Sequence, residues 1–275
     1  MTARIRVNGI AGDTVSALDR GLAYGDGLFE SVRLVGASAP LWSRHARRLT
    51  TDCRRLGLPV PDTAQLWREA RAVSEGLPEA VVRISLTRGV GARGYAPPAS
   101  PQVTRVVAAF APPPLPPDLH ARGVAMRVCD MRLAEQPRLA GIKHLNRLEQ
   151  VLARAEWSDP AIAEGVLCDT HGRVISATMA NLFAVVDGVL LTPPLDRCGV
   201  AGVARAEVLA AHPAAQLREL TLDALKSASE IFLSSSVRGI VPVHTLDERA
   251  YAVGTLTRQL QQHWRTLGFS MEHAE

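Results

Sequence analysis

Of the 31 basic residues in this 275-residue chain, only Lys143 and Lys226 are lysines; the rest are arginines. A guanidinium stays charged and cannot attack a carbonyl, whereas a neutral lysine amine can form a Schiff base. Each lysine is therefore a candidate for chemistry that arginine cannot perform. Lys143 stands in Leu139–Leu152, where Leu145, Leu148, Val151, Leu152 and Ala155 recur at helical spacing and predict a helix from about His144 to Trp157. The lysine then sits at or just before the first turn. The positive end of the helix dipole and partial burial both favour the free amine there. A solvated lysine beside a helix fits the same position. Lys226, within Leu222–Glu230, has no comparable setting and reads as a surface residue.

A lysine that holds a carbonyl cofactor such as pyridoxal phosphate needs a phosphate cradle and a partner for the ring nitrogen nearby. Gly199-Val200-Ala201-Gly202-Val203-Ala204-Arg205 is a small-residue loop leading into a predicted helix, so its N–H groups can face an anion. Ser234-Ser235-Ser236 ends a predicted strand with hydroxyl donors, and Arg48 can supply full positive charge. Each also has an ordinary reading as a helix entry, a serine turn or an amphipathic-helix arginine. Gly89-Val90-Gly91-Ala92-Arg93-Gly94 matches a dinucleotide-binding pattern literally, but Tyr95-Ala96-Pro97-Pro98 follows and cannot open the helix that the motif requires. It reads as a loop from which Arg93 projects.

The elements that must position these residues fall on either side of a stiff segment. Residues 112–117 carry five prolines and predict an extended connector between residues 1–111 and 118–275. Before it the pattern predicts strands at Arg4–Val7, Leu28–Leu34, Ala80–Thr87 and Thr104–Phe110, with helices at Ser43–Leu56 and Thr63–Glu75. After it come strands at Val124–Cys129, Gly165–Asp169, Val174–Ser176, Leu182–Val186, Val189–Thr192 and Glu230–Ser234. Helices are predicted at Ala204–Ala211 and about Val253–Leu267. Strands in groups with helices between them predict an α+β fold.

A net charge of +4 is too dilute for nucleic-acid binding without clustering, and Arg44-His45-Ala46-Arg47-Arg48 reads as a solvated helix face. The surplus suits a small anionic substrate. Four scattered cysteines form no metal or disulfide pattern and fit a reducing cytoplasm. Met1–Ile10 lacks the apolar core of a signal peptide, and no apolar run has membrane-spanning length, so a cytoplasmic protein without membrane contact is expected.

The stretch Ala140-Gly141-Ile142-Lys143-His144-Leu145-Asn146-Arg147-Leu148-Glu149-Gln150-Val151-Leu152 closely resembles the lysine segment of the aminodeoxychorismate lyase family. These are fold-type-IV pyridoxal-phosphate enzymes related to branched-chain and D-amino-acid aminotransferases. The resemblance extends to Asp19–Glu30, His45–Leu49, Arg88–Tyr95, Ala180–Phe183 and Gly199–Arg205, in order along nearly the whole chain. It implies a two-domain α+β fold, D-amino-acid aminotransferase-like, with pyridoxal 5'-phosphate between a small N-terminal domain and a larger C-terminal domain carrying the lysine. A homodimer is implied as well. Carried over, Lys143 holds the cofactor and acts as acid and base. Arg48, the N–H groups of Val203 and Ala204, and Ser236 bind its phosphate. Arg93, with Tyr95 and Asn146, meets a substrate carboxylate, and Phe29 walls the pocket. No metal is implied. The implied reaction turns aminodeoxychorismate into 4-aminobenzoate and pyruvate, as in folate biosynthesis. Amino-acid transamination or weakly catalytic cofactor binding are the alternatives.

One position departs from the family pattern. Where members generally place a glutamate against the ring nitrogen, this chain has Ser176, in Val174-Ile175-Ser176-Ala177-Thr178. A hydroxyl cannot stabilise a pyridinium as a carboxylate does. Transamination relies on the ring as an electron sink more than does elimination of a good leaving group from a ring that becomes aromatic. Ser176 is thus expected to favour elimination. Thr178 stands as a possible substitute partner.

Overall fold

Long strands with alternating buried apolar residues build the first of two units in the computed structural model, which describes residues 4–269. This unit holds the described residues up to Pro113 together with Ile142–Asn146. Its elements are β1 (Arg4–Val7), β2 (Ile10–Ala11), α1 (Arg20–Tyr24), β3 (Gly27–Val35), α2 (Trp42–Leu56), α3 (Thr63–Ser74), β4 (Glu79–Thr87) and β5 (Thr104–Phe110). The strands form an antiparallel sheet in the order β2-β1-β5-β4-β3. Asn8-Gly9 makes the β1–β2 turn with both φ angles positive, at 52° and 86°, the geometry a tight hairpin requires. Leu28, Val32 and Leu34 of β3 pack with Val82, Ile84 and Leu86 of β4 under Leu49 and Cys53 of α2 and Leu66 of α3.

The second unit holds Pro114–Gly141 and the described residues from Arg147 onward. It begins with α4 (Leu119–Arg122), β6 (Val124–Leu133), α5 (Leu148–Arg154), β7 (Ile162–Asp169), β8 (Val174–Ala177), β9 (Asn181–Val186) and β10 (Val189–Thr192). It ends with α6 (Val203–Ala211), β11 (Gln216–Leu217), α7 (Leu222–Ser227), β12 (Glu230–Ser235), β13 (Gly239–Leu246), β14 (Arg249–Ala250) and α8 (Thr255–Thr266). The mixed sheet runs β11-β10-β9-β12-β13-β6-β7-β8, with β14 on β13. Phe183 and Phe232 stack in its core with centroids 4.9 Å apart. The chain is α+β throughout.

Most predicted elements recur within a residue or two, but the lysine segment does not. The expected helix from His144 begins only at Leu148. Residues 143–145 lie instead along the edge of β3: Phe29 N–H donates to the Lys143 carbonyl (3.0 Å) and Leu145 N–H to the Gly27 carbonyl (2.9 Å). Ile142 joins the first unit's core, so this segment, on the C-terminal side of the connector in sequence, packs with the first unit. An extended segment has no helix dipole, so that contribution to the Lys143 amine falls away. Leu148, Val151 and Leu152, whose spacing pointed to the helix, are 75%, 59% and 58% exposed.

No helix follows Gly89–Gly94, as its sequence requires. Lys226 makes an exposed ion pair with Asp247 at 3.3 Å. All four cysteines are buried and unpaired. Among the described residues no helix is long and apolar enough to cross a membrane. Of the Met1–Ile10 stretch, Met1, Thr2 and Ala3 lie outside the described residues.

Candidate active site

Within the first unit, Lys143 is held on both sides of its main chain. Its carbonyl accepts from Phe29 of β3, and its N–H donates to Asp52 Oδ2 of α2 at 3.1 Å. The side chain is half-buried, and Nζ lies 4.2 Å from the centroid of the Phe29 ring. The Arg83 guanidinium of β4 reaches the same ring at 4.2 Å. Phe29, Lys143 and Arg83 thus place an aromatic surface beside two cations, a setting suited to a flat anionic molecule. Burial pushes the Asp52 carboxyl up to about 6, against the opposing pull of the Lys143 N–H and Arg48.

The buried face of α2 is polar where it meets β3. His45, Arg48 and Asp52 recur at three- and four-residue spacing and alternate with Leu49 and Cys53. Arg48 Nε donates to Glu30 Oε1 at 2.8 Å, and a second guanidinium nitrogen bonds Oε2. His45 Nδ1 lies 2.7 Å from Glu30 Oε2. Burial would raise the Glu30 carboxyl, but Arg48 above all outweighs it and holds it at about 2. Burial keeps the His45 imidazole below its ordinary range despite Glu30, so the neutral ring donates Nδ1–H to that carboxylate. The solvated face read for Arg44–Arg48 is corrected here: His45 is buried and Arg48 mostly so, because Glu30 in the core strand needs both.

The loop after β4 is fixed from beneath. Arg20 donates to the carbonyls of Gly94 (3.0 Å), Tyr95 (3.0 Å) and Ala96 (3.3 Å), and Gly94 N–H donates to Tyr24 Oη. Arg93 and Tyr95 stand exposed on this loop, with the Tyr95 ring against Tyr24. Neither makes a hydrogen bond, ion pair or ring contact with Lys143 or Phe29. Asn146 donates from Nδ2 to the Gly25 carbonyl at 3.2 Å, tying the end of the lysine segment to the turn before β3.

In the second unit, taken by itself, the loop Gly199–Gly202 leads into α6. Gly141 N–H donates to the Gly199 carbonyl, and Ala201 N–H to the Gly141 carbonyl. Asn181 closes the loop from β9, donating to the Val200 carbonyl (2.9 Å) and accepting from Gly202 N–H (3.1 Å). A Cβ on Gly202 would meet Asn181 Oδ1 at 2.1 Å, so glycine is required there. Gly202 caps α6 without a side-chain acceptor, and the buried Val203 and Ala204 have no acceptor for their N–H groups among the described residues. Arg205 is buried with Thr192 Oγ1 and the Pro193 carbonyl as its partners among the described residues, and burial pushes its guanidinium down to about 10. Ser234 Oγ is buried without a partner, while Ser236 lies half-buried in the turn after β12. Open first-turn donors beside a buried, uncompensated cation fit an oxyanion such as phosphate.

Ser176 is buried on β8 opposite Leu167 of β7. The nearby Glu164 carboxylate is fully buried, but the Arg238 guanidinium and the Thr178 hydroxyl bond its two oxygens. Thr178 therefore spends its proton on Glu164.

Sequence reasoning missed Glu30, Asp52, Arg83, Glu164 and Arg20. Glu30 carried a signal, as a carboxylate inside the apolar run Leu28–Leu34. Asp52 stands one helical turn after Arg48, which marks the same face. Arg83 and Arg20 look like ordinary surface arginines until the fold is known.

The chain matches the model of the amino-transferase class IV family over residues 27–246. It is 35% identical over 268 residues to the aminodeoxychorismate lyase of Vibrio harveyi, covering 94% of this chain and 99% of that protein. The crystal structure of 4-amino-4-deoxychorismate lyase from Pseudomonas aeruginosa superposes with a TM-score of 0.90 at 47% identity, covering 95% of this chain and 98% of that one. A D-alanine aminotransferase of Staphylococcus epidermidis is 29% identical over 265 residues, 90% of each chain.

Proposed function

The chain belongs to the amino-transferase class IV family, and from that premise we propose that it is a pyridoxal-phosphate-dependent lyase converting 4-amino-4-deoxychorismate to 4-aminobenzoate and pyruvate. The observation that carries this reading is the similarity to two such lyases, over 94% and 95% of the chain. Ser176 favours it over transamination, since no free carboxylate replaces the family's glutamate: Glu164 is consumed by Arg238 and Thr178. The product places the enzyme in folate biosynthesis, and buried, unpaired thiols support a cytoplasmic location.

Bound pyridoxal phosphate supplies a carbonyl to join the substrate amine and a ring that withdraws electrons from it. Lys143 holds the cofactor and then carries a proton on Nζ, taking it from the amine-bearing carbon and giving it to the departing enolpyruvate. Phe29, whose ring lies 4.2 Å from Nζ, would wall the pocket. The N–H groups of Val203 and Ala204, with Ser236 and Arg48, hold the phosphate. Arg93, Tyr95 and Asn146 receive substrate carboxylates; the exposure of Arg93 and Tyr95 suits residues that act on an incoming ligand. The exposed Leu148, Val151 and Leu152 stripe on α5 supports a homodimer.

The test is an assay of pyruvate and 4-aminobenzoate from aminodeoxychorismate, beside D-alanine and branched-chain amino acids as amino donors. Elimination is expected to dominate, and Lys143→Ala to lower it by about a thousandfold or more. Faster transamination in the wild type, or an unchanged yield in the variant, overturns the reading.

A further inference from the structure

Asp52 is 5% exposed, yet it makes no ion pair among the described residues; the bond recorded for its carboxylate is with the Lys143 main-chain N–H. A buried carboxylate costs more than a neutral acceptor in the same place. Its siting is therefore informative. It is held by the fifteen-residue helix α2, whose Arg48 lies one turn earlier and whose Leu49 and Cys53 anchor that face in the core. On the other side, β3 grips the Lys143 carbonyl through Phe29 N–H, and Ile142 is fully buried. The peptide groups on both sides of the lysine Cα are thereby fixed by two different elements. Nζ itself lies beside the Phe29 ring, 4.2 Å from its centroid.

We propose that Asp52 is a positioning residue that seats the main chain of Lys143, so that the amine meets its carbonyl partner from a fixed origin. This rests on Lys143 being the cofactor-binding lysine, as proposed above. Asp52 touches neither cofactor nor substrate. Its contribution is the loss of freedom it imposes on the segment 142–146, and pre-orientation of a nucleophile by a supporting contact is a recognised source of rate.

Three measurements test it. In the wild-type protein without cofactor, amide hydrogen exchange resolved by NMR should show Lys143 N–H protected to the level of the β3 amides; exchange at the rate of an open amide overturns the proposal without any variant. In Asp52→Ala the Lys143 amide should exchange about tenfold faster, the upper range for one hydrogen bond, while the β4 and β5 amides keep their rates. Titration with pyridoxal phosphate should then give about tenfold weaker binding, with kcat reduced more than KM is raised. Asp52→Asn, which keeps an oxygen acceptor, should restore both exchange and affinity to within about threefold of wild type. An Asn variant as impaired as Ala overturns the proposal, as does an Ala variant with normal Lys143 exchange. Failure of the functional reading looks different: the amide behaves as stated, but the protein neither takes up pyridoxal phosphate nor releases pyruvate.

Discussion

In the first unit the buried Glu30 carboxylate is matched by Arg48 and His45, while in the second, among the described residues, Arg205 is buried with no carboxylate partner and the Val203 and Ala204 N–H groups have no acceptor. The two arrangements differ in what completes them. Glu30 is satisfied by the chain itself, and its bonds to Arg48 also fix the guanidinium proposed to meet the phosphate. The first turn of α6 leaves its donors open at a cost in stability, and on the proposed reading a bound phosphate would recover it.

The largest effect that would break this contrast is removal of Glu30. Glu30→Ala removes the counter-charge beside the Arg48 guanidinium and the acceptor of the His45 Nδ1–H, and should cost about 3–5 kcal/mol in urea unfolding. The pH dependence has a definite sign. The carboxyl falls from 4.5 to about 2 on folding, so its contribution is complete above pH 4.5 and is lost as pH falls toward 2. Wild type should therefore lose stability across that window more steeply than Glu30→Ala. Parallel curves would mean that the cluster contributes nothing to folding.

A smaller effect should appear at the open terminus. Val203 is the first residue of α6, and Gly202 before it has φ −66° and ψ 143°, a conformation that a following proline accepts. Val203→Pro thus deletes one N–H donor while keeping the helix. Unliganded stability should shift by only about 1 kcal/mol. Affinity for pyridoxal phosphate should fall by about tenfold, in line with one hydrogen bond to a charged group. The thermal upshift on adding the cofactor should shrink with it, measured by differential scanning fluorimetry. If the variant binds as tightly as wild type, the α6 terminus is not a phosphate cradle.

The same contrast explains what could be read in advance. The longer elements of the first unit, β3, β4, β5, α2 and α3, and the loop Gly199–Arg205 were legible because period-two and helical patterns, glycine and small residues act locally, while the short β2 and α1 were not. The lysine segment was not. Leu145, Leu148, Val151 and Leu152 have helical spacing, but the β3 edge, more than a hundred residues earlier in the chain, captures residues 143–145 through hydrogen bonds that no local pattern encodes. The apolar residues that remain in α5 then face outward, against the inward orientation that local spacing suggests for a surface helix. Arg83 and Asp52 became visible only when the strand pairing and the α2 face brought them to Phe29 and Lys143.

Ser176 offers the subtlest test, because it asks whether the second unit lacks a carboxylate by design. A glutamate placed there would be buried opposite Leu167, and the Arg238 guanidinium of this sheet is already paired with Glu164. Without cofactor, Ser176→Glu should therefore lower stability by about 1–3 kcal/mol, and its carboxyl should titrate above the usual range. With pyridoxal phosphate bound, a protonated ring nitrogen would give the carboxylate its partner, and the deficit should narrow. Transamination of D-alanine should rise while pyruvate release from aminodeoxychorismate changes by only a few-fold. A stability deficit that persists unchanged in the presence of cofactor would place Ser176 away from the ring nitrogen. The preference for elimination would then have to come from the residues that receive the substrate, Arg93 and Tyr95 first among them.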